Sequence, residues 1–220
     1  MGNKYLYKPT SLAGFLQQIV WLVTRGYKYF HVTYYPESKK DKWIEIDKKL
    51  IGKYQTDMTR SQRYRNKQKK NGNFMFLRYE NVAVLLLATD DFKKERTKVK
   101  ERIVIDDEFF DIEEKNLKFD CGKISSFKIH KTNNTVTVSM ANKMFKEVKA
   151  NLIEVAATKN LSNTRYEFEK LNGLPSWHGI NKQKFQLLDL VVDELKHHNV
   201  KVKKTTFFVK LSRKKVKVFE

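Results

Sequence analysis

The chain has 220 residues, 40% hydrophobic and 13% aromatic, with 45 Lys plus Arg against 25 Asp plus Glu and a formal net charge of +20. That apolar content excludes a wholly disordered basic protein, and the single cysteine, Cys121, excludes an internal disulfide and a cysteine-rich zinc site. Charge of this size repels itself in a compact monomer, so a polyanionic partner is expected, and the cysteine usage implies a reducing, intracellular and cytoplasmic setting.

In chain order, Ser11 stands where an N-cap is needed, and Leu12, Phe15, Leu16, Ile19, Leu22 and Val23 recur at helical spacing until Gly26. This run is too short for a bilayer and is interrupted by Gln17 and Gln18, so it is expected to be a core helix rather than a targeting segment. Residues 27–35 are aromatic and β-branched and end at Pro36, which predicts a strand. Trp43, Ile46, Leu50 and Tyr54 lie about one turn apart and predict a second helix over 43–54. Thr59 and Gln62 have the spacing of a capping box, opening a basic helix that Gly72 would end. Residues 74–79 read as a strand. The unbroken apolar run 82–89 predicts a central strand covered on both faces.

Residues 90–114 mix acids and bases, with a short strand expected at 102–105. Extended segments follow at 117–120 and 124–131, and Asn133-Asn134 signals a turn into 135–140. Asn142 is placed to cap a helix with Phe145, Val148, Leu152, Ile153 and Ala156 on its core face. A polar connection, 159–177, forms the expected internal boundary, with Gly173 and Pro175 as breakers. A strong helix is expected over 181–198, and the alternating segments 205–210 and 215–219 suggest a basic hairpin. The fold class is therefore α+β, a central mixed sheet with packed helices and a C-terminal helix followed by a basic β-hairpin. Residues 1–160 would form the core, with the basic helix near 59–71, and residues 161–220 the C-terminal helix and hairpin.

The charge is concentrated. Residues 57–72 hold six cations and one acid, and residues 196–220 hold nine cations and one acid, so two segments carry 13 of the 20 net charges. On a helix, Arg60, Arg63, Lys67 and Lys70 form one stripe, with Tyr64, Arg65 and Lys69 close by. Such a helix has almost no apolar face, and its like charges repel unless a phosphate backbone offsets them. The competing reading is an ordinary solvated helix. Arg suits bidentate phosphate and base-edge contacts, which favours the first. Arg78, and in the tail Lys203, Lys204, Arg213, Lys214, Lys215 and Lys217, complete the expected nucleic-acid-binding set. Lys on a sheet edge that blocks aggregation is the alternative for the tail. Tyr27, Tyr29, His31, Thr33 and Tyr35 share one strand face, which offers either core packing or rings for stacking unpaired bases.

Catalytic patterns are weak. Asp47-Lys48-Lys49 matches the D-x-K element of metal-dependent nucleases, but the helical period around it conflicts with the strand that chemistry needs. Asp90, Asp91 and Asp106 are the other carboxylates considered as metal ligands. The five histidines show no H-x-H or H-E-x-x-H arrangement, and no P-loop, G-x-G-x-x-G or G-x-S-x-G element occurs. The expectation is a non-enzymatic nucleic-acid-binding protein with no cofactor and no metal. RNA or single-stranded nucleic acid is favoured, and the protein would serve as a subunit or accessory of a ribonucleoprotein or mobile-element complex with other proteins. The alternative is a metal-dependent nuclease or DNA-processing enzyme of a mobile element. A third reading is a scaffold on an acidic protein or membrane surface; no membrane partner is expected, because of the aromatic content and because no basic helix here has a strongly apolar face.

Overall fold

The computed structural model describes residues 5–89, 106–122, 125–132, 135–212 and 215–220. Asp90, Asp91, the strand expected at 102–105, the Asn133-Asn134 turn, Arg213 and Lys214 lie outside the described residues. The first sheet has the order β2-β3-β1-β4, formed by β1 (Tyr29–Tyr34), β2 (Asn73–Tyr79), β3 (Val82–Ala88) and β4 (Phe110–Asp111), all antiparallel. The second runs β5-β6-β7, from β5 (Leu117–Cys121), β6 (Ser125–Thr132) and β7 (Thr135–Met140), also antiparallel. The α+β class holds, with two antiparallel sheets in place of a single mixed one.

Helix α1 (Leu12–Thr24) begins as its sequence requires, with the Ser11 hydroxyl accepting from the Gly14 amide at 3.1 Å. It buries Phe15, Leu16, Ile19, Leu22 and Val23 between the two sheets. On one side lie Val82, Val84 and Leu86 of β3, and on the other Phe119, Phe127, Ile129 and Val138. Helix α2 (Trp43–Tyr54) covers the opposite face of the first sheet, where Trp43 and Tyr54 meet Phe74, Phe76, Leu85 and Leu87. Strand β3 thus sends alternate side chains into two separate cores, which is why its sequence is apolar without alternation.

Within the second core, the carboxylate of Asp47 is 0% exposed and takes two bonds from Arg78 Nε, at 2.7 and 2.9 Å, and one from Nη2 at 2.7 Å. Tyr35 donates its hydroxyl to the same carboxylate at 3.1 Å, and Arg78 Nη1 reaches the Glu80 carbonyl at 2.9 Å. Burial and this carboxylate both push the Tyr35 phenol upward.

The third core joins α4 (Asn142–Ala157), α5 (Leu161–Glu169) and α6 (His178–His197). Helix α5 occupies part of the segment whose sequence suggests a polar connection. It is capped by Asn160, whose side chain accepts from the Asn163 amide at 3.0 Å, and buries only Thr164 and Phe168, too narrow a face to show as periodicity. Helix α6 starts against β7: the Gly179 amide donates to Thr137 Oγ1 at 3.0 Å, and a Cβ on residue 179 would stand 2.5 Å from the Val138 carbonyl oxygen. Only glycine permits that approach.

The described tail residues form no strand pair, so the basic hairpin is replaced by an extended strap. Phe207 packs beside Phe168 in the third core, while Phe219 packs against the first. Side chains satisfy the backbone between them. Asn172 Nδ2 donates to the Phe208 carbonyl and its Oδ1 accepts from the Lys210 amide, both at 2.8 Å. Gln17 does the same at Val216, at 3.1 and 3.3 Å, and the Thr10 amide donates to the Val218 carbonyl at 3.0 Å. Two anchors in different cores pull the alternating residues apart, so they cannot close on each other. Among the described residues no helix is long and apolar enough to cross a membrane.

Candidate nucleic-acid interface

The basic helix exists as expected. Helix α3 (Arg60–Gln68) opens with a complete capping box: Gln62 Oε1 accepts from the Thr59 amide at 2.7 Å and Thr59 Oγ1 accepts from the Gln62 amide at 3.3 Å. It buries none of its residues, so packing contributes little to holding it. Hydrogen bonds fix it instead. Arg63 Nη2 donates to the Thr56 carbonyl at 2.7 Å, and Asn73 Nδ2, at the start of β2, donates to the Arg63 carbonyl at 3.0 Å. After α3, Lys70 and Gly72 take positive φ values of 56° and 69° and turn the chain back into β2.

The stripe faces a cleft of about 450 Å³, where Arg60, Arg63, Lys67 and Lys70 stand with Tyr64 opposite Arg25 and Tyr27. Asn73 and Gly72 contribute to its lining, as do Ala88 and Thr89 at the end of β3. Five cations and two tyrosines therefore share one cavity, and no carboxylate is among the described residues that line it. No ion pair joins Arg60, Arg63, Lys67 or Lys70 to an acid of the described residues. Burial raises the Tyr27 phenol, and the Arg63 guanidinium pulls it the other way.

The structure divides the sequence set. Arg65 and Lys69 project from the other side of α3, over a shallower depression with Gln55, Met58 and Gln62. Arg78 leaves the set: it is 2% exposed and spends its guanidinium on Asp47, so no phosphate can reach it. The tail cations do not line the cleft. Lys204 pairs with Asp189 at 2.5 Å, Lys203 is exposed just before it, and Lys215 and Lys217 flank Val216 on the strap beside α1. Arg25 is the residue the sequence reading missed. Its signal is its place: a cation at the C-cap of α1 just before Gly26, whose φ of +96° ends the helix.

Of the carboxylates considered for metal chemistry, Asp47 and Asp106 are among the described residues, and each has its own basic partner. Asp47 is enclosed by Arg78 and Tyr35. Asp106 is ion-paired with Lys53. Asp107 accepts from the Tyr54 hydroxyl and from Lys53 Nζ, the latter at 3.0 Å, and lies 3.8 Å from His31 Nε2. Burial alone would raise the Asp107 carboxyl, but the Tyr54 and Lys53 hydrogen bonds outweigh it and hold the group below its ordinary range. Among the described residues no group of three or more His, Cys, Asp or Glu is placed to hold a metal ion. No family model matches the chain, and neither a curated protein nor a solved structure matches it.

Proposed function

We propose that this protein binds nucleic acid, with the cleft between α3 and the end of α1 gripping the phosphate backbone. The observation that carries this is the convergence of Arg25, Arg60, Arg63, Lys67 and Lys70 on one cavity with no lining acid among the described residues. Cations without local counter-charges draw phosphates and release their counterions, which supplies most of the affinity for any sequence. Arg60 and Arg63 suit the bidentate geometry of a phosphate, and Lys67 and Lys70 add point charge along it. Tyr27 and Tyr64 add ring surface at the same place.

The test compares the two sides of α3. Arg60, Lys67 and Lys70 are replaced together by Gln, and separately Arg65 and Lys69 by Gln, with Arg63 left to hold Thr56. Affinity for a labelled oligoribonucleotide should fall steeply in the first variant and little in the second. Equal losses would mean that α3 attracts polyanions without a defined groove, and no loss in the first would end the reading.

A further inference from the structure

The cleft carries two buried polar atoms without a partner among the described residues, and they are of opposite kinds. Arg63 Nε is an unmatched donor, and Asn73 Oδ1 is an unmatched acceptor. Asn73 is 7% exposed, and its Nδ2 is already committed to the Arg63 carbonyl, so its amide orientation is set and the oxygen is the atom left over. Buried groups of this sort are few in native proteins and call for an explanation. Both residues line the cleft, and one ligand that brought an acceptor and a donor would satisfy both.

The aromatic surroundings limit what that ligand is. Tyr64 is 64% exposed on the rim. Trp21 is 48% exposed, on a helix whose other large apolar residues are mostly buried, and Arg25 stacks on its ring at 5.3 Å. Since Arg25 also lines the cleft, Trp21 stands one contact away from it. Rings at a phosphate-gripping groove are of use only to bases whose faces are free, because in a duplex those faces are stacked on their neighbours.

We infer that the cleft takes one unpaired nucleotide of a single strand, with its phosphate on Arg63, a base-edge N–H on Asn73 Oδ1, and the neighbouring base stacked on Trp21. This rests on the nucleic-acid reading above and narrows it from a polyanion to single-stranded RNA or DNA. The cavity volume of about 450 Å³ is that of a site for a small ligand and has room for one nucleotide, whereas a duplex would meet only its rim.

Tryptophan emission gives a direct test, because Trp43 and Trp177 are each 7% exposed and Trp21 is the exposed one of the three tryptophans. An unlabelled oligoribonucleotide of mixed sequence should quench that emission on binding. The same strand annealed to its complement, at equal occupancy by anisotropy, should not. Trp21→Leu should abolish the quench and weaken single-strand binding about 5- to 100-fold, the range for loss of one stacked base. Tyr64→Leu, on an exposed side chain, should lower single-strand affinity with the melting temperature unchanged. If duplex and single strand quench equally, or the ring variants bind like the parent, the single-strand site is overturned and the phosphate grip stands. If neither form binds at low salt, both fall.

Discussion

Asp47 offers the sharpest choice between two readings of this chain, since its sequence context suggests a metal ligand and its surroundings make it a structural anion. Replacing it with Asn keeps the shape and removes the charge. Arg78 then remains buried, with its side chain 3% exposed, and has only an amide oxygen and the Glu80 carbonyl as acceptors. Breaking a buried pair from one side costs about 3–5 kcal/mol, because the surviving charge has lost its compensation. For a chain of this length each kcal/mol moves the melting temperature by about 2–4 °C, so Asp47→Asn should melt about 6–20 °C lower. Arg78→Met should cost a similar amount for the mirror-image reason. The double variant Asp47→Leu with Arg78→Met should recover most of the loss, since no charge is then stranded. The assay is thermal unfolding by circular dichroism, repeated at high salt, where a pair shielded from solvent should respond little. A melting point unchanged within a degree in Asp47→Asn would refute the anchoring role. Were the same variant to lose a Mg²⁺-dependent cleavage of nucleic acid while staying folded, the nuclease alternative would regain its footing.

Salt gives the next measurement: replacing Arg60, Lys67 and Lys70 by Gln should flatten the plot of log affinity against log salt by about 2 units, from roughly 0.7 per phosphate contact on a single strand. An unchanged slope would mean that these three cations touch no phosphate. Gly179→Ala should destabilise by about 1–3 kcal/mol through overpacking, because the new methyl meets the Val138 carbonyl oxygen at 2.5 Å; a neutral effect in a denaturant melt would contradict that close approach. Asp107 has a folded-state pKa below its unfolded one, so its contribution to stability is present above the ordinary carboxylate range, ~4, and is lost as pH falls through that value and below. Asp107→Asn should therefore flatten stability against pH on the acid side alone. On the strap, Gln17→Ala should speed amide exchange at Val216 with little change in β3, whereas equal protection in both proteins would show that the tail is held by something else.

What could be read from the residues, and what could not, follows from the range over which each signal acts. The Ser11 cap, the Thr59 and Gln62 capping box and the two-faced apolar run of β3 are local, and all appear in the structure. The stripe on α3 was legible because helical spacing alone puts Arg60, Arg63, Lys67 and Lys70 together. Its opposite wall was not, because Arg25 and Tyr27 reach the cleft only through the pairing of β1 with β3 and of β3 with β2, contacts remote in sequence. Arg78 shows the converse error. Its place beside Tyr79 and Glu80 reads as a strand end open to solvent, and nothing local reveals that Asp47, far back in the chain, meets it at 2.7 Å. The tail misled for a similar reason. Its alternation is real, but Asn172 and Gln17 supply the bonds that a second strand would have made.

The way α3 is fixed in place bears on why its charge is available. A helix with nine residues and none buried would ordinarily be held by ion pairs along its sides, and those would consume the cations. Here the anchors are uncharged acceptors and donors: the capping box at one end, the Thr56 carbonyl under Arg63, and the Asn73 amide under the Arg63 carbonyl. Only one guanidinium nitrogen of the cleft stripe is committed to these contacts. Positioning by neutral groups leaves repulsion within the stripe unrelieved, and that repulsion is a reserve which an incoming phosphate discharges on binding. An acid introduced beside the stripe should therefore act in opposite directions on two observables. Ser61→Glu, at an exposed position in the first turn, should raise the melting temperature, because it relieves the cations and suits the helix N-terminus. It should at the same time weaken oligonucleotide binding. A variant in which stability and affinity rise together would show that the stripe is not held in tension for a polyanion.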